Sequence, residues 1–132
     1  MALKISDAAA NAQAAALATT AGSNCVLEIR TGAAPANPGL AATGTLLVSV
    51  TIAGAWTATG NAIAAADPAA ANPAAAGTAA HFRLKTSGGS ALLDGTVTAT
   101  GGGGDLTLGS TTITVGVPVD LGVPTITVPK GY

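Results

Sequence analysis

The chain is short of charge and of reactive side chains. Only 8% of its 132 residues are Asp, Glu, Lys or Arg, and His, Cys, Met, Trp, Tyr and Phe each occur once. A single cysteine cannot close an internal disulfide. Five cationic side chains cannot line a phosphate backbone, which excludes a basic nucleic-acid binder, and they are too few for a polybasic membrane anchor. One histidine without clustered Cys, Asp or Glu cannot make a zinc site. Trp56 and Tyr132 give too little aromatic surface for stacking sugars or bases. A formal net charge of -1 speaks against charge-driven disorder. Long apolar runs are missing too. Asp7, Asn11 and Gln13 interrupt the N-terminal alanines, so no signal-peptide core is expected, and the later alanine tracts are broken by Asn, Asp and Pro, so no transmembrane helix is expected. No Asn opens an N-glycosylation acceptor.

What is present is small: Ala, Thr and Gly make up 69 of the 132 residues. Residues 6–21 predict a helix. Ser6 or Asp7 can cap its free N–H groups, alanine is the best helix former, and Gly22 is a natural stop. With only Ile5 and Leu17 as larger apolar groups, this helix must dock on its own sheet or on a neighbouring chain. After Gly22 the period changes to two. In residues 25–30, Cys25, Leu27 and Ile29 share one face, with Glu28 and Arg30 on the other. Residues 31–43 hold two prolines and two glycines and read as a loop. Residues 45–52 form the strongest strand, with Leu46, Val48, Val50 and Ile52 opposed to Ser49 and Thr51. Residues 54–63 read as a further strand carrying Trp56 and Ile63. The Ala/Pro tract 64–77 reads as a loop, since its prolines forbid a continuous helix.

Residues 79–85 set Phe82 and Leu84 against His81, Arg83 and Lys85. A turn at 86–90 and a strand at 92–100 complete a hairpin. Short strands are expected at 105–108, 111–115, 117–121 and 125–128. The expected architecture is mainly β: a jelly-roll-like β-sandwich of about seven or eight strands over 23–132, behind an N-terminal helical arm over 1–22, in one domain overall.

Candidate chemistry is sparse. His81 lacks a nucleophile and an orienting group nearby and reads as a surface or interface histidine. Cys25 reads as a core residue. Gly101–Gly104 with Asp105 lacks the Lys-Ser/Thr and the helix of a phosphate loop, so it reads as a turn. The six acids Asp7, Glu28, Asp67, Asp94, Asp105 and Asp120 read as turn and cap residues, with no calcium-loop spacing and no announced acid pair. No catalytic, cofactor-binding or metal-binding residues are expected, and no cofactor.

Several stretches occur in a telling order: Gly32-Ala33-Ala34-Pro35, Gly44-Thr45-Leu46-Leu47-Val48, Gly77-Thr78-Ala79-Ala80-His81-Phe82-Arg83-Leu84, Asp94-Gly95-Thr96-Val97 and Gly104-Asp105-Leu106-Thr107-Leu108. In this the chain resembles a family of small virion structural proteins of tailed double-stranded DNA bacteriophages, from about Ser6 to Val128. The loop at 64–76 is individual to this sequence. The resemblance implies a β-sandwich subunit on the particle, with no catalytic residues to carry over. Together with the absent chemistry and the Ala/Thr/Gly skew, this order leads to the expectation of a capsid decoration or cement protein, with the major capsid protein and copies of itself as partners, as a homotrimer, and with neither nucleic acid nor membrane bound. The expected place is the capsid exterior of the virion, after synthesis in the bacterial host cytoplasm. A tail, neck or fibre-associated subunit is the first alternative. A host-glycan-binding sandwich module with Trp56 and Asp67 at its site is the second.

Overall fold

The computed structural model describes residues 3–130. Helix α1 spans Asp7–Ala21. Ser6 caps it by accepting from the Ala9 N–H at 3.1 Å. Gly22 ends it in the left-handed region, with its N–H bonded to Ala18 O. The buried stripe is Ala10, Ala14, Ala18 and Ala21, so a small-residue face lets the helix lie close to what it covers.

Among the described residues ten strands follow: β1 (Cys25–Arg30), β2 (Leu46–Ile52), β3 (Thr57–Thr59), β4 (Ala62–Ala64), β5 (Gly77–Thr78), β6 (His81–Lys85), β7 (Ala91–Ala99), β8 (Leu106–Leu108), β9 (Thr112–Ile113) and β10 (Thr125–Thr127). A five-stranded sheet has the order β2-β1-β6-β7-β8, and a three-stranded sheet the order β10-β4-β3. These eight strands, with the two-residue pair β5-β9, make a mainly β, sandwich-like fold behind one N-terminal helix. The helix packs on β3 and β4 of its own chain.

The expected strand at 54–63 is a hairpin instead, turned at Gly60 with a φ of 59°. The expected strand at 117–121 shrinks to a single bridge between Val119 and Ala71. Val117 donates its N–H to Thr114 O within its own turn, and Pro73, which would face Val117 in a longer ladder, has no donor, so the pairing does not extend on that side; Gly116 and Gly122 sit at positive φ on either side of the bridge. The rest of the 64–77 tract is irregular, as its prolines require, and its Ala74 and Ala75 N–H groups cover Leu47 O on the outer side of β2.

One core runs through the molecule: Cys25, Leu27 and Ile29 from β1, Val48, Val50 and Ile52 from β2, Phe82 and Leu84 from β6, Val97, Leu106 and Leu108, Ile63, and the helix alanines. Gly95 stands opposite Phe82 in the β6–β7 ladder. A Cβ there would lie 2.5 Å from the Phe82 ring, so the largest fully buried side chain occupies the space that the glycine leaves.

The β7–β8 pair is parallel, with Val97 opposite Leu106 and Ala99 opposite Leu108. Parallel neighbours ordinarily need a crossover of about a dozen residues or more. Here residues 100–105 suffice because the four glycines do different work. Gly101 and Gly103 take φ of 88° and 79°. Gly102 and Gly104 lie so close over Thr98 that a Cβ would fall within 2.7 and 2.8 Å of its side chain. The loop wraps Thr98, whose Oγ1 accepts from the Gly104 N–H at 2.9 Å.

Candidate functional site

The core takes one face of the five-stranded sheet. On the other face the registers align Glu28, Arg83 and Asp94 in one row across β1, β6 and β7, and Arg30, His81 and Thr96 in the next. Five of the chain's eleven charged side chains therefore meet on this face: Glu28, Arg30, Arg83, Lys85 and Asp94. Arg83 grips Asp94 with two parallel bonds, Nε to Oδ1 at 2.7 Å and Nη2 to Oδ2 at 2.9 Å. Both side chains are buried, at 6% and 7% exposure. The hydrogen bond to Asp94 holds the Arg83 guanidinium above its ordinary pKa, against the opposing effect of burial. Arg30 meets Glu28 Oε1 at 3.3 Å, and Lys85 lies 3.6 Å from Glu28 Oε2.

The same side chains hold the loop at residues 31–44. Arg83 Nη1 donates to Leu40 O at 2.9 Å, and Arg30 Nη1 to Gly44 O at 3.4 Å. His81 Nδ1 lies 2.8 Å from Gly32 O. A carbonyl only accepts, so that nitrogen carries the proton and the tautomer is set. Three donors thus grip three backbone carbonyls. The loop also stiffens itself: Thr43 Oγ1 donates to Ala33 O, Thr31 Oγ1 accepts from the Thr45 N–H, and Asn37 bonds Gly39 and Leu40. Leu40 remains half exposed at its tip. Since the grip is on backbone, loop side chains are left to face outward.

His81, expected at a surface or interface, is only 2% exposed and lies beneath this loop. The alternating strand does put His81 on the polar face, but the loop at 31–44 covers that face. Cys25 is buried with Leu27 and Ile29, and the Trp56 Nε1–H points at its Sγ at 2.9 Å. Trp56 itself is 5% exposed, which leaves little ring face for a sugar. Tyr132 lies outside the described residues. Asp105 accepts from the N–H and hydroxyl of Thr96, Asp120 closes a turn onto the Gly122 N–H, and Asp7 pairs with Lys130. Asp67 lies in the irregular Ala/Pro tract, apart from Trp56 in burial. Among the described residues no group of three or more His, Cys, Asp and Glu could hold a metal ion.

Sequence reasoning did not find the Arg83–Asp94 pair. The signal was present: a hairpin folded about Gly88 and Gly89 sets residue 83 opposite residue 94. A cleft of about 250 Å³ beside this region is lined by Leu17, Phe82, Leu93, Ile126 and Val128. Its two carboxylates, Asp94 and Asp105, are already engaged by Arg83 and Thr96.

Among the described residues the exposed large apolar side chains are Leu3, Leu40, Val115, Val117 and Val123. Val115 and Val117 flank Gly116 on a turn closed by the Val117 N–H and Thr114 O, and Val123 follows the Asp120–Gly122 turn. No helix among the described residues is long and apolar enough to cross a membrane. Comparison with protein families, curated proteins and solved structures returns no match to this chain.

Proposed function

We propose that the chain is a non-enzymatic bacteriophage virion structural protein, a capsid decoration or cement protein that stabilises the shell by contact with the major capsid protein and with copies of itself. The observation that carries this reading is the use of the ionisable groups. The charged sheet face holds a loop by its carbonyls and presents Leu40, instead of aiming charged groups at a ligand. The exposed valines likewise sit at turn tips, where a neighbour can reach them. The motifs of the resemblance support the same reading, since Leu46–Val48, His81–Leu84, Asp94–Val97 and Leu106–Leu108 all fall in the five-stranded sheet.

In this role affinity comes from area and symmetry. Weak single contacts repeated on a symmetric shell add through effective concentration. With so few free charges, the contacts are insensitive to salt. The test is fractionation of particles into heads and tails by mild chaotrope and pelleting, followed by a count of copies. Sedimentation with heads, in numbers set by the shell lattice, is the expected result. Sedimentation with isolated tails alone, in a few copies, would move the protein to the tail and end the cement reading.

A further inference from the structure

The five-stranded sheet ends at β2, and part of that edge has no partner. The Val97 N–H bonds Ala80 O, which sets the phase of the ladders. His81, Arg83 and Lys85 then turn their backbone groups to β1, and Cys25, Leu27 and Ile29 turn theirs to β2. Val48, Val50 and Ile52 consequently bond β1, and Ser49 and Thr51 direct N–H and C=O outward. Leu47 O agrees with this phase, since it meets Ala74 and Ala75 on the outer side. At the other end Ala53 O is taken by the Asn24 N–H. Between these ends, among the described residues, no backbone bond outside the β1 ladder reaches 48–52. Ser49 and Thr51 are exposed.

Open edges are normally guarded by charge, proline or a bulge. The β2 bulge lies beyond this window, between Leu46 and Val48, and Val48-Ser49-Val50-Thr51-Ile52 has neither charge nor proline. The stretch also reads nearly the same in both directions. We propose that β2 docks on β2 of a second copy of this chain, antiparallel, about a two-fold axis through Val50. Ser49 then faces Thr51 of the other copy, so each outward N–H meets an outward C=O in roughly four interchain bonds. Val50 meets Val50, and Val48 meets Ile52. The two five-stranded sheets become one. The edge carries no charge, so nothing repels across the axis. A second copy satisfies the match by symmetry, whereas a foreign strand would have to reproduce it.

This pairing is independent of the virion reading and is tested on the purified chain. Sedimentation equilibrium from micromolar to millimolar concentration is combined with amide exchange. A mass of twice 12.3 kDa is expected, with the Ser49 and Thr51 amides protected. The variant Ser49→Lys/Thr51→Lys, altered at two exposed side chains, becomes a folded monomer in which both amides exchange freely. Thr51→Pro removes one outward N–H while leaving the β1 ladder whole, and it also yields a monomer. A wild-type monomer at every concentration, a trimer with both amides unprotected, or a dimer that survives the lysine pair would each overturn the proposal.

Discussion

Replacing Arg83 by Met separates the two tasks of the charged sheet face. The substitution leaves Asp94 buried at 7% side-chain exposure without its bidentate partner. Breaking a buried pair from one side costs about 3–5 kcal/mol. For a chain of 132 residues the unfolding entropy is roughly 0.3 kcal/mol per degree, so Tm falls by roughly 10–18 °C. Asp94→Leu alone strands the guanidinium and costs a similar amount. The double variant Arg83→Met/Asp94→Leu carries no buried charge at this row and recovers to within about 1 kcal/mol of wild type, or exceeds it. Thermal and urea unfolding of the four proteins gives the coupling energy, expected at about 5 kcal/mol or more from these losses and the recovery. The recovery does not extend to the loop, because both Met variants lack the bond to Leu40 O. In the double variant the Gly39 and Leu40 amides exchange faster and the loop at 31–44 is cut sooner by protease, although global stability has returned. Additive losses would refute the buried-pair argument. Full recovery with loop amides as protected as in wild type would refute the tethering argument.

Two further tests address the fold. Gly44→Ala places a Cβ against the Thr31 carbonyl at a φ of 68°, so urea unfolding should show a loss of about 2–4 kcal/mol, whereas Gly22→Ala, with open space at a φ of 63°, should lose only about 1–2 kcal/mol; equal losses would remove the steric argument. Cys25 is fully buried, so an aromatic disulfide reagent should label it only as Trp56 fluorescence reports unfolding, and stoichiometric labelling of the native protein would contradict that burial.

The sandwich was legible where alternation is strong. Cys25, Leu27 and Ile29, then Val48, Val50 and Ile52, then Phe82 and Leu84, define the inner face of three adjoining strands, and each is buried. The helix was legible from Ser6, the alanines and Gly22, although its docking partner was not, because an alanine face carries no address. The outer face was misjudged. Alternation assigns Glu28, His81 and Arg83 to a polar side but cannot say that a loop returns to cover it. Residues 31–44 have no periodicity, and their bonds run from backbone carbonyls that every residue possesses. Similarly, Val117, Val119 and Leu121 alternate well, but the flanking glycines, and Pro73 on the segment opposite, leave only one bridge.

The tetraglycine return between β7 and β8 has a kinetic consequence. Parallel strands usually pair late, since a distant segment must be brought back before any contact rewards the lost chain entropy. Residues 100–105 instead close a loop short enough to form in well under a microsecond. The β6–β7 hairpin and the β8 return are consecutive in the chain, so three of the five strands in the larger sheet can assemble from near neighbours. The strands β1 and β2 are likewise consecutive, so the only long closure in this sheet is the one that brings β1 to β6.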